Sequence, residues 1–294
     1  MRVVVTGASG FLGQELIKQL SERDIDFVAA TTHPSLLAEV SGISASSVVE
    51  AKQLLHEEFY EEDDVVMNCA FPRTNDGAAM ADGLNFLAKL IKNATNSKAA
   101  GFINISSQSV YSQHRTKPAT EADPLCLESP YAVAKRGVEL LLDTQDGRVP
   151  YTNIRLASLI GPNFDQRVPN RMAKRALETG QIQVADNGSQ FGFMDVRDAA
   201  NALIKMLESP SEKWRYVYNL SSQECWTLSS LALMVKDAVE SISGKVVSIY
   251  ASVNESLTMP LNTLLNASLF QKDFCWSAKF EQRDSVETIV AQTV

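Results

Sequence analysis

The sequence predicts an α/β protein whose parallel sheet is covered by helices on both faces. Two observations predict this class. Short apolar, β-branched segments alternate with segments of helical periodicity through the first half of the chain, as in consecutive β-α-β units. The apolar segments are nearly continuous rather than alternating with polar residues, which is typical of strands that are buried on both faces.

The elements follow one another regularly up to Gly161 and Pro162, after which the alternation loosens. Glycines punctuate the turn between the first strand and the first helix. Leucines at helical spacing predict the second helix, and Ser and Thr residues are available to cap the last one. The predicted strands are residues 2–5, 26–31, 64–68, 101–105, 151–156, 181–185 and 216–220, and the predicted helices are residues 14–20, 83–94, 131–142, 171–179, 196–207 and 227–242.

Composition and charge exclude several classes of partner. The chain has 294 residues, of which 45% are hydrophobic and 21% charged, and its formal net charge is -8. This negative charge, without a basic run, argues against nucleic acid and against an anionic membrane. The cysteines and histidines are scattered without disulfide or zinc spacing. No signal peptide or membrane span is recognisable, so we expect no metal and a cytoplasmic location.

The turn after the first strand has the spacing of a dinucleotide-binding loop. Gly7, Gly10 and Gly13 lie three residues apart between a strand and a helix. Small residues there let backbone N–H groups approach a pyrophosphate at the helix N-terminus. The sequence therefore predicts a dinucleotide cofactor at this turn.

The end of the second strand bears on the choice between NAD and NADP. In dinucleotide-binding folds an acidic residue at this place holds the ribose hydroxyls of NAD. This chain has Thr31, Thr32 and His33 there. No carboxylate would repel a 2′-phosphate, but no arginine is present to hold one. The expected cofactor is NAD(P), with NADP slightly favoured.

Tyr131 and Lys135 lie four residues apart at the start of a predicted helix, which places them on one face. An ammonium group beside a phenol favours the phenolate, so the tyrosine would exchange a proton near neutral pH. Ser107 follows the C-terminal end of a strand, where parallel sheets place ligand-binding groups. Taken alone, Ser107 is better explained as a turn cap. Together with Tyr131 and Lys135 it becomes a catalytic candidate that would hold a substrate oxygen.

Several motifs occur in a characteristic order. They are Thr6-Gly-x-x-Gly-Phe-Leu-Gly13, Asp64-Val-Val-Met-Asn68, Ser106-Ser107-x-x-Val-Tyr111, Pro130-Tyr131-x-x-x-Lys135, Arg155 ahead of Gly161-Pro162, and Val196-x-Asp198. This set resembles the extended short-chain dehydrogenase/reductases, and most closely the NAD-dependent epimerase/dehydratase family, which acts mostly on nucleotide-diphosphate sugars. The resemblance implies a doubly wound Rossmann domain, residues 1–162 plus about 191–222, with a smaller C-terminal substrate-binding domain, about 163–190 plus 223–294.

The resemblance also implies roles for individual residues. Tyr131 matches the family's proton-transfer tyrosine, Lys135 the residue that lowers its pKa and binds the nicotinamide ribose, and Ser107 the substrate-binding serine or threonine. Cofactor-binding matches are Gly7, Gly10, Phe11, Leu12 and Gly13 in the loop and Ala70 and Phe71 after the fourth strand, and Thr31 is a further candidate. Family members often dimerise through two helices per subunit, so a homodimer is an expectation.

Departures from the family pattern narrow the expected activity. Gln108 and Ser109 stand where dehydratases have an Asp-Glu pair, which supplies the acid and base for loss of water. Sugar-acid decarboxylases usually keep a glutamate at the place of Ser109. A ketoreductase or a 4-epimerase remains. The ketoreductase is favoured because a compact C-terminal region leaves less room for the rotating intermediate of an epimerase.

The expected substrate is a nucleotide sugar or a related ketosugar, although its contacts depart from the family pattern. Ser158 replaces the family's asparagine after the sixth strand, and Phe191 stands where an arginine often holds the diphosphate. Arg167, Arg171 or Arg175 would supply the missing charge, although each also fits a solvated helical residue. Candidate substrate-binding residues are Ser107, Ser158 and Arg171. The alternative of another class is a non-catalytic NAD(P)-binding sensor or partner protein.

Overall fold

The computed structural model describes residues 1–35, 37, 47–74, 76–145, 147–251 and 259–294. The strands in these residues are β1 (Arg2–Thr6), β2 (Phe27–Thr31), β3 (Val48–Glu50), β4 (Asp64–Asn68), β5 (Gly101–Ser107), β6 (Tyr151–Leu156), β7 (Ser158–Ile160), β8 (Gln181–Val184), β9 (Phe193–Asp195), β10 (Val217–Leu220) and β11 (Ser248–Ala251). The helices are α1 (Phe11–Glu22), α2 (Gly77–Asn96), α3 (Pro130–Asp143), α4 (Val168–Thr179), α5 (Val196–Met206), α6 (Leu228–Ser243), α7 (Ser268–Phe274) and α8 (Gln282–Thr293).

Within this described part of the chain, seven parallel strands form one sheet in the order β10-β6-β5-β4-β1-β2-β3. The strand order reverses between β1 and β4, where Val3 pairs with Val65 on one side and with Phe27 on the other. The crevice at the C-terminal ends of these two strands is where such sheets bind ligands.

Helices cover both faces of the sheet. On one face, α1 and α5 bury residues such as Leu16 and Leu203 against the sheet. On the other face, α2 and α3 bury residues such as Leu90 and Val138. These layers explain why the strands are apolar on both sides, and the predicted doubly wound α/β fold is confirmed.

A second apolar cluster lies beside the main sheet. It is formed largely by α4, α6 and α8 together with β8, and it includes Trp226 and Ile289. Two small parallel sheets, β11-β8 and β7-β9, accompany it. The C-terminal segment divides between the two regions, because α8 joins this cluster whereas Phe270 and Phe274 of α7 pack against Tyr218 of the main sheet.

The structure differs from the predicted elements at short strands, at helix starts and in the C-terminal segment, where helices α7 and α8 were not predicted. The strands β3, β7, β9 and β11 were missed because three or four residues give no readable periodicity. Helix α2 begins six residues earlier than predicted, because the Asp76 side chain caps it by accepting a hydrogen bond from the Ala79 N–H at 2.7 Å. None of the helices in the described residues is both long and apolar enough to cross a membrane.

Candidate active site

In the turn between β1 and α1, neighbouring backbone segments approach one another too closely for side chains. Gly7 has a φ of +66°, and a Cβ on it would lie 2.8 Å from the Ala70 N atom. A Cβ on Gly13 would lie 2.2 Å from the Gly7 carbonyl oxygen. Gly10 precedes α1 without a side-chain cap, so the first-turn N–H groups of the helix face the crevice without a side-chain acceptor. These are the requirements of a pyrophosphate site.

A cavity of about 510 Å³ extends from this turn along the C-terminal end of β2. Thr31 and Thr32 line it, together with Ser9 from the glycine turn. Thr31 is buried, and its hydroxyl donates to the Ser9 hydroxyl at 2.8 Å while accepting from the His33 N–H. Thr32, the next residue, is exposed.

A turn at the end of β5 positions Ser107. Its hydroxyl accepts hydrogen bonds from the Ser109 N–H at 3.1 Å and from the Ser109 hydroxyl at 2.9 Å. It also lies near enough to the Tyr131 phenol to oppose the rise in the pKa of that group. Ser107 therefore acts both as the turn cap and as a neighbour of the tyrosine, so the two alternative interpretations of this residue are not exclusive.

Helix α3 brings Tyr131 and Lys135 to the same cavity. The helix begins after Ser129, whose hydroxyl accepts from the Ala132 N–H at 3.1 Å, and Pro130 occupies its first turn. The Lys135 ammonium is buried, donates to the Ile105 carbonyl at 2.8 Å, and lies 5.8 Å from the centre of the Tyr131 ring. The spacing of four residues does place both side chains on one face.

Burial dominates the electrostatics of this pair. Burial lowers the pKa of Lys135 to about 8, because a charge inside the protein loses its hydration. Burial also raises the pKa of Tyr131, and the cations that oppose this increase are Arg73 and Arg167. These two arginines are therefore further cations that favour the phenolate, and the role of Lys135 in making the phenol more acidic stays a prediction.

One cavity of about 580 Å³ brings most of the candidate residues together. Its lining contains no aspartate, glutamate or histidine among the described residues. The predicted residues that line it are Phe11, Leu12, Phe71, Ser107, Ser158, Tyr131 and Lys135, and it is also lined by Arg73, Phe164 and Arg167. Arg171 is exposed on α4 and does not line this cavity, and Phe191 stacks on Phe193 in the second apolar cluster.

Sequence reasoning missed Arg73 and Phe164. Neither belongs to a motif, and the loops that carry them are far apart in the chain. The available signal for Arg73 was its position three residues after Ala70, at the C-terminal edge of the sheet, where ligand groups are expected. Phe164 gave no signal, because an aromatic residue in a loop is ordinarily a packing residue.

The residues present fit a dinucleotide. Phe71 lines both cavities, so they adjoin and form one cleft from Thr31 to Tyr131, with the glycine turn between them. No bulky side chain could replace Gly7 or Gly13 without collision. A doubly wound sheet with this cleft, a buried lysine and a tyrosine defines an NAD(P)-dependent enzyme.

The family follows from comparison of sequences. The NAD dependent epimerase/dehydratase family matches residues 3–221, and the chain therefore belongs to it, as its motifs indicated. The spore coat polysaccharide biosynthesis protein SpsK of Bacillus subtilis (strain 168) is 26% identical over 250 residues, which cover 81% of this chain and 80% of that protein.

Two further comparisons concern a shorter relative and a solved structure. A probable dTDP-4,6-dihydroxy-2-methyloxan-3-one 4-ketoreductase of Streptomyces antibioticus is 31% identical over 145 residues, covering 47% of this chain and 45% of that protein. A UDP-glucuronic acid 4-epimerase from Bacillus cereus, crystallised with NAD, matches with a TM-score of 0.83 and 21% identity, covering 100% of this chain and 99% of the other. The latter likeness shows the shared fold.

Proposed function

We propose that the protein is an NAD(P)-dependent oxidoreductase that acts on a nucleotide sugar or a related ketosugar, with ketoreduction as its favoured reaction. The observation that carries this proposal is that Ser107, Tyr131 and Lys135 line one cavity together with Phe11 and Leu12 of the glycine turn. The described lining of this cavity contains no carboxylate or imidazole that could replace Tyr131 as the proton donor.

The chain's own residues would divide the work as follows. When bound, the reduced cofactor supplies a hydride to the carbonyl carbon. Tyr131 gives its phenolic proton to the carbonyl oxygen, and Ser107 hydrogen-bonds that oxygen and holds it beside the phenol. Lys135 would bind the nicotinamide ribose. The product is an alcohol, and the phenolate is reprotonated from solvent.

Support for the reductive reaction comes from the lining of the cavity. Dehydration requires an acid and a base besides the tyrosine, whereas Gln108 and Ser109 occupy the corresponding places in the cavity wall. The relative from Streptomyces antibioticus, which bears the name of a 4-ketoreductase, is a further point in favour. A 4-epimerase is the second candidate. It needs the same three residues, and the likeness to a solved 4-epimerase favours it.

Further parts of the proposal concern the cofactor, the assembly and the organisation of the chain. NADP stays slightly favoured, because Thr32 offers a hydroxyl at the end of β2 and the residues that end this strand, Thr31 to His33, include no carboxylate, although Asp82 lines the same cavity. The exposed Val133 and Leu140 lie seven residues apart on α3, a spacing that supports a homodimer through this helix.

We also propose that the chain divides into a Rossmann domain, residues 1–162 plus about 191–222, and a substrate-binding domain, about 163–190 plus 223–294. A cytoplasmic location is proposed as well.

Turnover with purified protein tests the proposal. Reduced cofactor, NADH or NADPH, is mixed with a panel of 4-ketosugar nucleotides, and its absorbance is followed. A ketoreductase oxidises the cofactor in proportion to product. An epimerase interconverts nucleotide sugars without net oxidation, and a sensor binds the cofactor but turns over no carbonyl substrate.

The variant Tyr131→Phe tests the assignment of the proton donor. Loss of a general acid lowers kcat by about 10²- to 10⁴-fold, while cofactor binding should remain. The matched control is Tyr216→Phe, since Tyr216 is 68% exposed and lies outside the catalytic cavity. Full turnover by Tyr131→Phe would show that another group transfers the proton.

A further inference from the structure

Two arginines converge on one aromatic ring at the mouth of the catalytic cavity. Arg73 follows β4 and Arg167 precedes α4, and their guanidinium carbons lie 5.7 and 5.2 Å from the centre of the Phe164 ring. Phe164 in turn stacks on Phe11 of the glycine turn, with ring centres 4.2 Å apart. Stacking on an aromatic face orients a guanidinium group and leaves its N–H edge free for a ligand.

Within the described part of the chain, no ion pair neutralises the charge of these two arginines. The Arg167 Nε atom is buried and has no hydrogen-bond partner in the described residues. Burial and the neighbouring Arg73 lower the pKa of Arg167 to about 10. No carboxylate lines the cavity in the described part of the chain. Elsewhere the partly buried arginines Arg2 and Arg197 each contact an aspartate at 2.7 Å.

The position of the pair indicates which anion would neutralise it. Both arginines lie close enough to the Tyr131 phenol to oppose the rise in its pKa. They line the cavity that holds Ser107 and Tyr131, and they are absent from the lining of the cavity beside Thr31. An anion bound here would therefore lie on the Tyr131 side of the cleft, where the sugar reacts, and away from the adenosine end of the cofactor.

We propose that Arg73 and Arg167 form a clamp for a carboxylate carried by the sugar ring, so that the enzyme prefers a sugar acid to the neutral sugar. This inference rests on the proposed function, because it names the substrate class for the same site. A carboxylate would satisfy the buried Nε donor and relieve the repulsion between the two guanidinium groups, and the planar fork of each arginine matches carboxylate geometry.

Binding separates the clamp from the catalytic proposal. The Tyr131→Phe protein, saturated with NAD(P), is titrated calorimetrically with UDP-glucuronic acid and with UDP-glucose, which differ only at C6. We expect the acid to bind at least about tenfold more tightly, since hydrogen bonds between charged groups are stronger than those to a neutral hydroxyl. Addition of Arg167→Gln or Arg73→Gln should abolish this preference and leave the affinity for UDP-glucose within about threefold.

The matched control is Arg171→Gln, because Arg171 is exposed on the same helix and does not line the cavity. It should keep the preference for the acid. Equal affinity for the two sugars, or binding of neither, contradicts the clamp. If Arg167→Gln lost the same affinity for both sugars, the pair would be assigned to the diphosphate. If it bound NAD(P) more weakly in the absence of sugar, the pair would be assigned to the cofactor. Either result overturns the inference.

The proposed function has a separate outcome. Turnover of ketosugars that depends on Tyr131, but without a preference for the acid, would retain the oxidoreductase and remove the clamp. Tight, arginine-dependent binding of UDP-glucuronic acid without any turnover would retain the clamp and remove the reductase.

Discussion

Two buried charges on α3, one helical turn apart, have opposite surroundings. Glu139 has a fully buried side chain and accepts hydrogen bonds from the Ser106 hydroxyl at 2.5 Å, from Arg136 at 2.8 Å and from two nitrogens of Arg155 at 2.9 and 3.1 Å. Lys135 is also buried, but its ammonium donates only to the Ile105 carbonyl in the hydrogen bonds of the described residues. The carboxylate of Glu139 is saturated by protein partners, whereas the ammonium of Lys135 is the one that we propose contacts a ligand.

The pKa values express the same difference. Burial on its own would raise the pKa of Glu139, yet hydrogen bonds and the charge of Arg155 lower it, so the carboxylate is stable as an ion. Burial lowers the pKa of Lys135 to about 8, because no carboxylate contacts it directly. The hydrogen-bonded carboxylate joins the helix to the sheet, whereas the buried ammonium, which has fewer partners, raises the free energy of the folded state. In the proposed function, a bound ligand would offset this cost.

The largest expected effect is loss of the saturated charge. Glu139→Gln leaves the Arg155 guanidinium buried without a carboxylate, and we expect the free energy of unfolding to fall by about 3–5 kcal/mol. Equilibrium unfolding in urea measures it. The control is Glu178→Gln, the same substitution at an exposed glutamate on α4. Its free energy of unfolding should stay within about 0.5 kcal/mol of that of the unsubstituted protein. A loss below about 1 kcal/mol for Glu139→Gln would mean that water or other groups replace the carboxylate. The surroundings of Glu139 and Lys135 would then not differ in their contribution to stability.

An effect of opposite sign is expected at Lys135. The folded protein holds this lysine with a pKa of about 8, against 10.5 for the ordinary value, so below pH 8 the buried ammonium destabilises the fold. Lys135→Met should therefore raise the free energy of unfolding at pH 7, by up to about 3 kcal/mol, while abolishing turnover.

The sign of the pH dependence provides the check on Lys135. Between pH 8 and 10.5 the unfolded chain binds more protons than the folded one, so the unsubstituted protein gains stability as the pH rises. The advantage of Lys135→Met should shrink over that interval. Unfolding curves at pH 7 and 10 measure this change, and a variant that is less stable at both pH values would show that the hydrogen bond to Ile105 outweighs the desolvation of the charge.

The sequence was sufficient for the half of the site that is built locally. The glycine turn and the spacing of Tyr131 and Lys135 are contained in single β-α units, where periodicity and small residues determine the geometry. Arg73 and Phe164 meet only because two distant loops fold over the same cavity, and no local pattern encodes such a contact. Glu139 gave a signal that was not used, since it follows Lys135 by four residues on a predicted helix and points to the same side.

The smallest expected effect on stability is that of Arg167→Gln, and Arg155→Gln is the comparison. Arg155→Gln removes the partner of a buried carboxylate and should cost about 3–5 kcal/mol. Arg167→Gln removes a charge that is only partly buried and has no carboxylate beside it. Its loss of stacking on Phe164 is offset by relief of the repulsion from Arg73, so we expect a change of less than about 1 kcal/mol in either direction.

Salt separates the contributions at Arg167. Higher ionic strength screens the repulsion between the two guanidinium groups, so the unsubstituted protein should gain stability relative to Arg167→Gln as sodium chloride is raised, whereas the buried Arg155 pair should respond little. Unfolding in urea at low and high salt measures both variants. If Arg167→Gln instead lost as much stability as Arg155→Gln at every salt concentration, Arg167 would be a structural residue. The distinction between charges that have protein partners and charges that lack them would then not apply to this cavity.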